Sequence, residues 1–216
     1  MTDRTGSWAH ASLADIPERE LVAKLMSDMQ WRERLVGIHG IPFNAEFALE
    51  VPLDGLPHDP KGDIDILLAA PSHPEVSTAV QVKRVKVSGG SFPSGNPNKL
   101  GELGMGYRQA NLLWEIGFSQ VYIFILVVVD SRSINKQLPS YGGLTPDLRA
   151  KIENVISTEG LLPSIGLLRY EFVQPMDAAP LSVGTFASGL IRLATEQTQP
   201  SDVTNWVRTS MGRMRA

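Results

Sequence analysis

Apolar residues recur at two different spacings along this chain, and the switching between them outlines its elements. After Pro17, the residues Leu21, Val22, Leu25, Met26, Met29 and Leu35 return largely at three- and four-residue steps. That is the repeat of an amphipathic helix, and a proline suits its first turn. His39-Gly40-Ile41-Pro42 ends the pattern. From there Phe43, Ala45, Phe47, Leu49 and Val51 alternate with Asn44, Glu46, Ala48 and Glu50, which predicts a half-buried strand. The turn-rich stretch Asp54 to Gly62 leads into a second strand over 63–69, and Pro71-Ser72-His73-Pro74 separates it from a third over 79–87. Ser88 to Asn98, rich in Gly, Pro and Ser, is expected to be a loop, either part of a site or a mobile surface segment.

Helical spacing returns over 100–116, with Leu103, Tyr107, Ala110, Leu112, Leu113 and Ile116 on one broad face. Val121 to Val129 is continuously apolar and rich in β-branched residues, as expected of a strand covered on both faces. Thr145-Pro146-Asp147 opens a helix to about Ser157, Ile165 to Val173 supplies a fifth strand, Gly184 to Thr195 is expected to be helical, and Ser201-Asp202 starts a last helix. The order describes an α/β protein with a mixed central β-sheet flanked by helices. Residues 1–16 are expected to form a flexible lead-in and residues 17–216 a single domain, with a core over about 17–130 and a C-terminal strand and helices over 131–216.

Composition removes several chemistries. No cysteine is present, so disulfides, thiolate catalysis and Cys-ligated zinc are excluded, and a metal would have to sit on oxygen or histidine. His10, His39, His58 and His73 show no zinc-ligand spacing. The net charge of -3 excludes a generally basic coat but not a local positive groove. Gly101 to Gly106 superficially resembles a nucleotide loop, yet it lacks the preceding strand and the Lys-Ser/Thr pair. Val121 to Val129 is too short to cross a bilayer and the N-terminus has no apolar run, so a soluble cytoplasmic protein is expected.

The second and third strands concentrate the chemistry. Residues two apart share a strand face, so Asp63 and Asp65 project together, as do Gln81 and Lys83, with Ile64, Ile66, Val80 and Val82 on the opposite faces. Charges beside such apolar strands are costly unless they pair or bind a cation. Asp65 offers an anionic oxygen, Gln81 an amide oxygen and Lys83 a cation, a minimal set for metal-assisted phosphodiester hydrolysis. A further carboxylate would raise metal affinity, and Glu20 on the first helix and Glu46 or Glu50 on the first strand are the candidates. Asp63 is an accessory candidate, or it caps the turn after Gly62.

The helix-strand-strand-strand-helix-strand order, with Ile64-Asp65 in the second strand and Gln81-Val82-Lys83 in the third, resembles the PD-(D/E)XK nuclease superfamily, whose fold is restriction-endonuclease-like. The resemblance covers about Pro17 to Asp130. It departs from the pattern at Ile64, where the nominal residue is proline, and at Gln81, where it is an acid. It implies an αβββαβ core, a Mg²⁺ or Mn²⁺ ion held by Asp65, Gln81 and a helical acid matched to Glu20, with Glu46 in reserve, and Lys83 at the attacking water. Gln109 stands where members often carry a polar residue on the following helix. The implied activity is nuclease cleavage of DNA rather than RNA, in a setting such as restriction, phage defence or repair, with a homodimer, the long loops or a partner protein setting the target. The alternative is an inactive nuclease-like module that binds nucleic acid or assembles with a partner, with Gln81 marking loss of the metal.

Overall fold

The computed structural model of the protein describes residues 16–29, 32–33, 45–57, 60–87, 103–130, 146–147, 150, 153–154, 160–174 and 186–213. The lead-in, the loop expected over 88–98, and His10, His39 and His58 lie outside them, as does most of the helix expected from Thr145, of which residues 146–147, 150 and 153–154 are helical. In chain order the elements are α1 (Glu18–Ser27), β1 (Glu46–Pro52), β2 (Asp63–Ala70), β3 (His73–Val87), α2 (Leu103–Ile116), β4 (Gln120–Asp130), β5 (Gly166–Gln174), β6 (Phe186–Arg192) and α3 (Ser201–Arg213).

The six strands form one sheet in the order β1-β2-β3-β4-β5-β6. β1, β2 and β3 pair antiparallel, β3, β4 and β5 pair parallel, and β6 returns antiparallel to β5. The class is therefore α/β with a mixed sheet, as the hydrophobic pattern predicts. Parallel pairing of β3 with β4 requires a crossover, and α2 supplies it.

The two faces bury different helices. Leu21, Val22, Leu25 and Met26 of α1 pack with Ile66, Val80, Val82, Phe124 and Tyr170 on one face. Ala110 and Leu113 of α2 and Val203, Val207 and Met211 of α3 pack with Leu67, Ala79 and Val121 on the other. β4 has helices over both faces, which is why its run from Val121 to Val128 is apolar without alternation and entirely buried.

Two expectations are corrected. The segment Gly184 to Thr195, expected to be helical, contains strand β6, because its backbone pairs with β5 from Phe172↔Phe186 to Leu167↔Arg192. The third strand starts at His73 rather than Ala79, leaving Pro71-Ser72 as a tight turn. Pro74 is tolerated there because it falls within the register shift between Ala69 and Ala70, where ladder bonds are interrupted.

Gln199 ties α3 to this frame. Its Oε1 accepts from Ser77 Oγ at 2.5 Å and from the Ser119 amide at 3.2 Å, while its Nε2 donates to the Pro74 carbonyl at 2.8 Å and to Thr204 Oγ1 at 3.1 Å. The Gln199→Leu substitution leaves these buried groups without partners and is expected to lower unfolding free energy by about 2–5 kcal/mol, measured by urea denaturation.

Candidate functional site

The site forms where β2 leaves β3. β3 spans 15 residues, but its ladder with β2 ends at the pair Ile66↔Val80. Beyond that point β3 continues beside β4 alone, from Gln81↔Ile123 to Val87↔Val129. In a strand, amides two residues apart point to the same edge. The amides of Val82 and Arg84 therefore face the gap that β2 has vacated, and buried amides need acceptors.

Two carboxylates fill that need. Asp65 Oδ2 accepts from the Val82 amide at 2.6 Å, and Glu18 Oε2 accepts from the Arg84 amide at 2.7 Å. Gln81 braces the same fork: its Nε2 donates to the Asp63 carbonyl at 2.8 Å. Gln81 is 1% exposed, and its Oε1 is buried with no hydrogen-bond partner.

The backbone around the fork is unusual. Glu50 adopts φ 52°, in the left-handed region, which costs a residue with a Cβ roughly 1–2 kcal/mol. The side-chain alternation of β1 breaks there. Phe47 and Leu49 pack toward α1, yet Ala48 and Val51 both pack on the opposite face. β2 shows the matching break, since Ile66 packs toward α1 and Ile64 toward α2 and α3, contrary to the shared face expected for them. Gly62, at φ 121°, admits the chain into β2 in a conformation that side chains rarely adopt.

Electrostatics follow from this crowding. Burial pushes the Asp65 carboxyl up to about 6, against the opposing pull of the Val82 amide and the Lys83 ammonium, and the charges of Glu18 and Asp63 add to the rise. Glu50 is also raised, by burial first and then by Asp63, with Arg19 acting against it. Four carboxylates thus share one region with Lys83 and Arg19.

The structure sorts the expected residues. It brings together Asp63, Asp65, Gln81, Lys83 and Glu50. Gln109 approaches from α2, with its Nε2 3.9 Å from the position that a Cβ on Gly62 would take and its Oε1 buried without a partner. Glu20 is not brought there. It is exposed on the outer side of α1, in a shallow groove with Ile16, Ala23, Lys24 and Ser27. The helical acid at the fork is Glu18, because positions 18, 21, 22 and 25 share the helix face that packs on the sheet and position 20 does not. Glu46 also lies away, opposite Ala69 and so four residues along β2 from Asp65. Arg84, whose amide donates to Glu18, is 7% exposed.

Among the described residues, no three His, Asp or Glu side chains converge closely enough to hold a metal ion by themselves. The donors at the fork are a mixed set, two carboxylates and an amide oxygen. No known family model matches the chain and no curated protein matches it.

Asp65 makes stability depend on pH. Its folded pKa of about 6 lies above the ordinary 3.8, so the protonated form is the one favoured by folding. Its contribution is fully present below about 3.8 and is lost as pH rises through about 6. In chelator, Asp65→Asn removes this loss, and its stability relative to the parent is expected to grow by up to about 3 kcal/mol between pH 4 and pH 7.5. Denaturant midpoints across that range check it; a difference that does not change with pH would contradict the assignment.

Proposed function

We propose that the protein is a metal-dependent nuclease hydrolysing phosphodiester bonds in DNA. The observation that carries the reading is the buried, unpartnered Oε1 of Gln81 at a fork that also holds Asp65, Glu18 and Lys83. An acceptor left in that condition costs about 1–3 kcal/mol. A hard divalent cation relieves it, and the same cation offsets the negative charge that raises Asp65. Asp65 and Gln81 would hold a Mg²⁺ or Mn²⁺ ion, with Glu18 as the second carboxylate in place of Glu20. Magnesium commonly takes only one or two carboxylates and completes its shell with water and phosphate, so this donor set fits without a cluster of three acids. When bound, the ion supplies charge neutralisation on the phosphate and lowers the pKa of water.

The chain's own groups divide the remaining work. Lys83, beside Asp65 on the strand that carries Gln81, orients the attacking water and stabilises negative charge developing on the phosphoryl oxygens. Water adds to phosphorus as the bond to the leaving sugar oxygen breaks; the attacking water gives up a proton to solvent, and the leaving oxygen takes one from solvent to depart as the alcohol. Arg19, exposed and close enough to act on Glu50, offers a phosphate contact at the rim. Target choice would come from a second copy of the chain or from a partner protein. Restriction, phage defence and repair in the cytoplasm are settings that suit such an enzyme.

One observation favours a second reading. The Asp65 and Glu18 carboxylates already serve the backbone of β3, and no three acids or histidines among the described residues converge. A nuclease-like module that binds nucleic acid or a partner without cleaving would need no more than that.

The two readings part in a cleavage assay and in calorimetry. For the enzyme, Lys83→Ala lowers cleavage of a DNA duplex in Mg²⁺ or Mn²⁺ by about 100-fold or more, while Asp65→Ala abolishes cation binding. Salt-sensitive DNA binding that ignores the cation, with no cleavage by the parent protein, would establish the module instead. Gln81→Glu is expected to act in opposite directions in the two conditions. In chelator it loses the bond to the Asp63 carbonyl and adds a further acid to the fork, lowering the melting temperature. In Mg²⁺ its added charge tightens cation binding, measured by titration calorimetry, by about tenfold.

A further inference from the structure

Gly106 lies in the first turns of α2, where glycine is a poor choice on helical grounds. A glycine inside a helix is less favourable than alanine because it has more backbone freedom to lose. The residue is buried, so solvent exposure gives no reason for it. The surroundings do. A Cβ at position 106 would stand 2.6 Å from Cγ of Lys83, 2.8 Å from its Cε and 3.1 Å from its Cδ. Carbon atoms in contact normally rest about 3.5–4.0 Å apart. The conflict runs along the whole aliphatic stem and includes Cγ, which cannot swing away while the lysine keeps its rotamer.

We infer that Gly106 is a positioning residue, a bare patch of α2 across which the stem of Lys83 is laid so that its ammonium is held at the β2–β3 fork. The inference deepens the nuclease reading and rests on it for the meaning of that placement, though the placement itself has its own observables. Lysine has a flexible four-carbon stem, and holding its ammonium in one place needs walls. On one side the wall is the backbone of α2 at Gly106. Below it, Lys83 is fixed by its strand, in register with Ile125 of β4. The Asp65 carboxylate lies near enough for the charge of Lys83 to act on it. Any side chain at position 106 removes the first wall and turns the stem out of its place. Helix stability is given up at this position to orient a cation.

The test uses four full-length proteins: the parent, Gly106→Ala, Lys83→Ala and the double variant. Thermal melting in chelator reads the packing. With Lys83 truncated, the methyl group introduced at position 106 meets no stem, so Gly106→Ala is expected to raise the melting temperature by about 2–4 °C through helix propensity. With Lys83 intact that gain is expected to vanish or reverse. Acylation of the Lys83 amine by a water-soluble ester, followed by peptide mass analysis, reads the position of the ammonium. Its rate is expected to rise at least threefold in Gly106→Ala, because the displaced stem carries the amine out of the fork into solvent, where the ester reaches it more easily. Where the parent cleaves DNA, Gly106→Ala is expected to lower kcat by about tenfold or more with KM little changed.

Equal melting shifts in both backgrounds, or an unchanged acylation rate, would overturn the inference. Failure of Gly106→Ala to fold even with Lys83 truncated would also overturn it, since the glycine would then serve the helix and not the lysine. If the parent cleaves no nucleic acid under any cation, the nuclease reading fails by itself, and the melting and acylation results still decide whether Gly106 places Lys83.

Discussion

The parting of two neighbouring strands governs this structure. Beyond Ile66 and Val80, β2 stays paired with β1 as far as Asp63 but no longer with β3, so the sheet has a rent in it there. Water does not reach the inner part of the rent freely, and the amides of Val82 and Arg84 turn into it. Each must find an acceptor, and the acceptors are the side chains of Asp65 and Glu18, from a strand and a helix 66 residues upstream of the amide it serves in the second case. Backbone accounting alone therefore draws two carboxylates into a confined place.

Once they are there, electrostatics take over. Asp65 is partly desolvated beside Glu18 and Asp63, and its proton affinity rises accordingly. Glu50 joins them from β1 by adopting a left-handed backbone conformation, which lets the edge strand reverse its alternation where β2 does the same. Gln81 and Gln109 add two buried amide oxygens that accept nothing. Such a region is rich in acceptors and short of donors. Lys83 and Arg19 answer part of the imbalance, and the divalent cation proposed above would answer the rest. The oxygens that would hold it are among those that satisfy the backbone of β3.

How much of this was visible in the chain depends on how local each decision is. The apolar run of β4 and the buried stripe of α1 are local patterns, and both elements stand where periodicity puts them. The pairing of Gly184 to Thr195 is not local. Leu190 with Phe186 and Ala187 imitates helical spacing, yet hydrogen bonding to the exposed edge of β5 prevails over it. The helical acid shows the opposite case, a signal present and misread. Leu21, Val22 and Leu25 mark the buried face of α1, and Glu18 continues that face while Glu20, with Lys24 and Ser27, belongs to the outer one.

Residue order by itself determined the α/β class, the central apolar strand and the two strands on which Asp65, Gln81 and Lys83 sit, because period-two and period-3.6 burial are properties of neighbouring residues. Only the tertiary structure decided that β2 would part from β3 at Ile66, that Glu18 would reach Arg84, that Glu50 would turn inward and that the stem of Lys83 would cross Gly106. Those outcomes depend on which backbone groups remain unpaired after the sheet has formed and on how closely a helix can approach it. No spacing along the chain carries that information, since it arises between segments that meet only when the sheet closes.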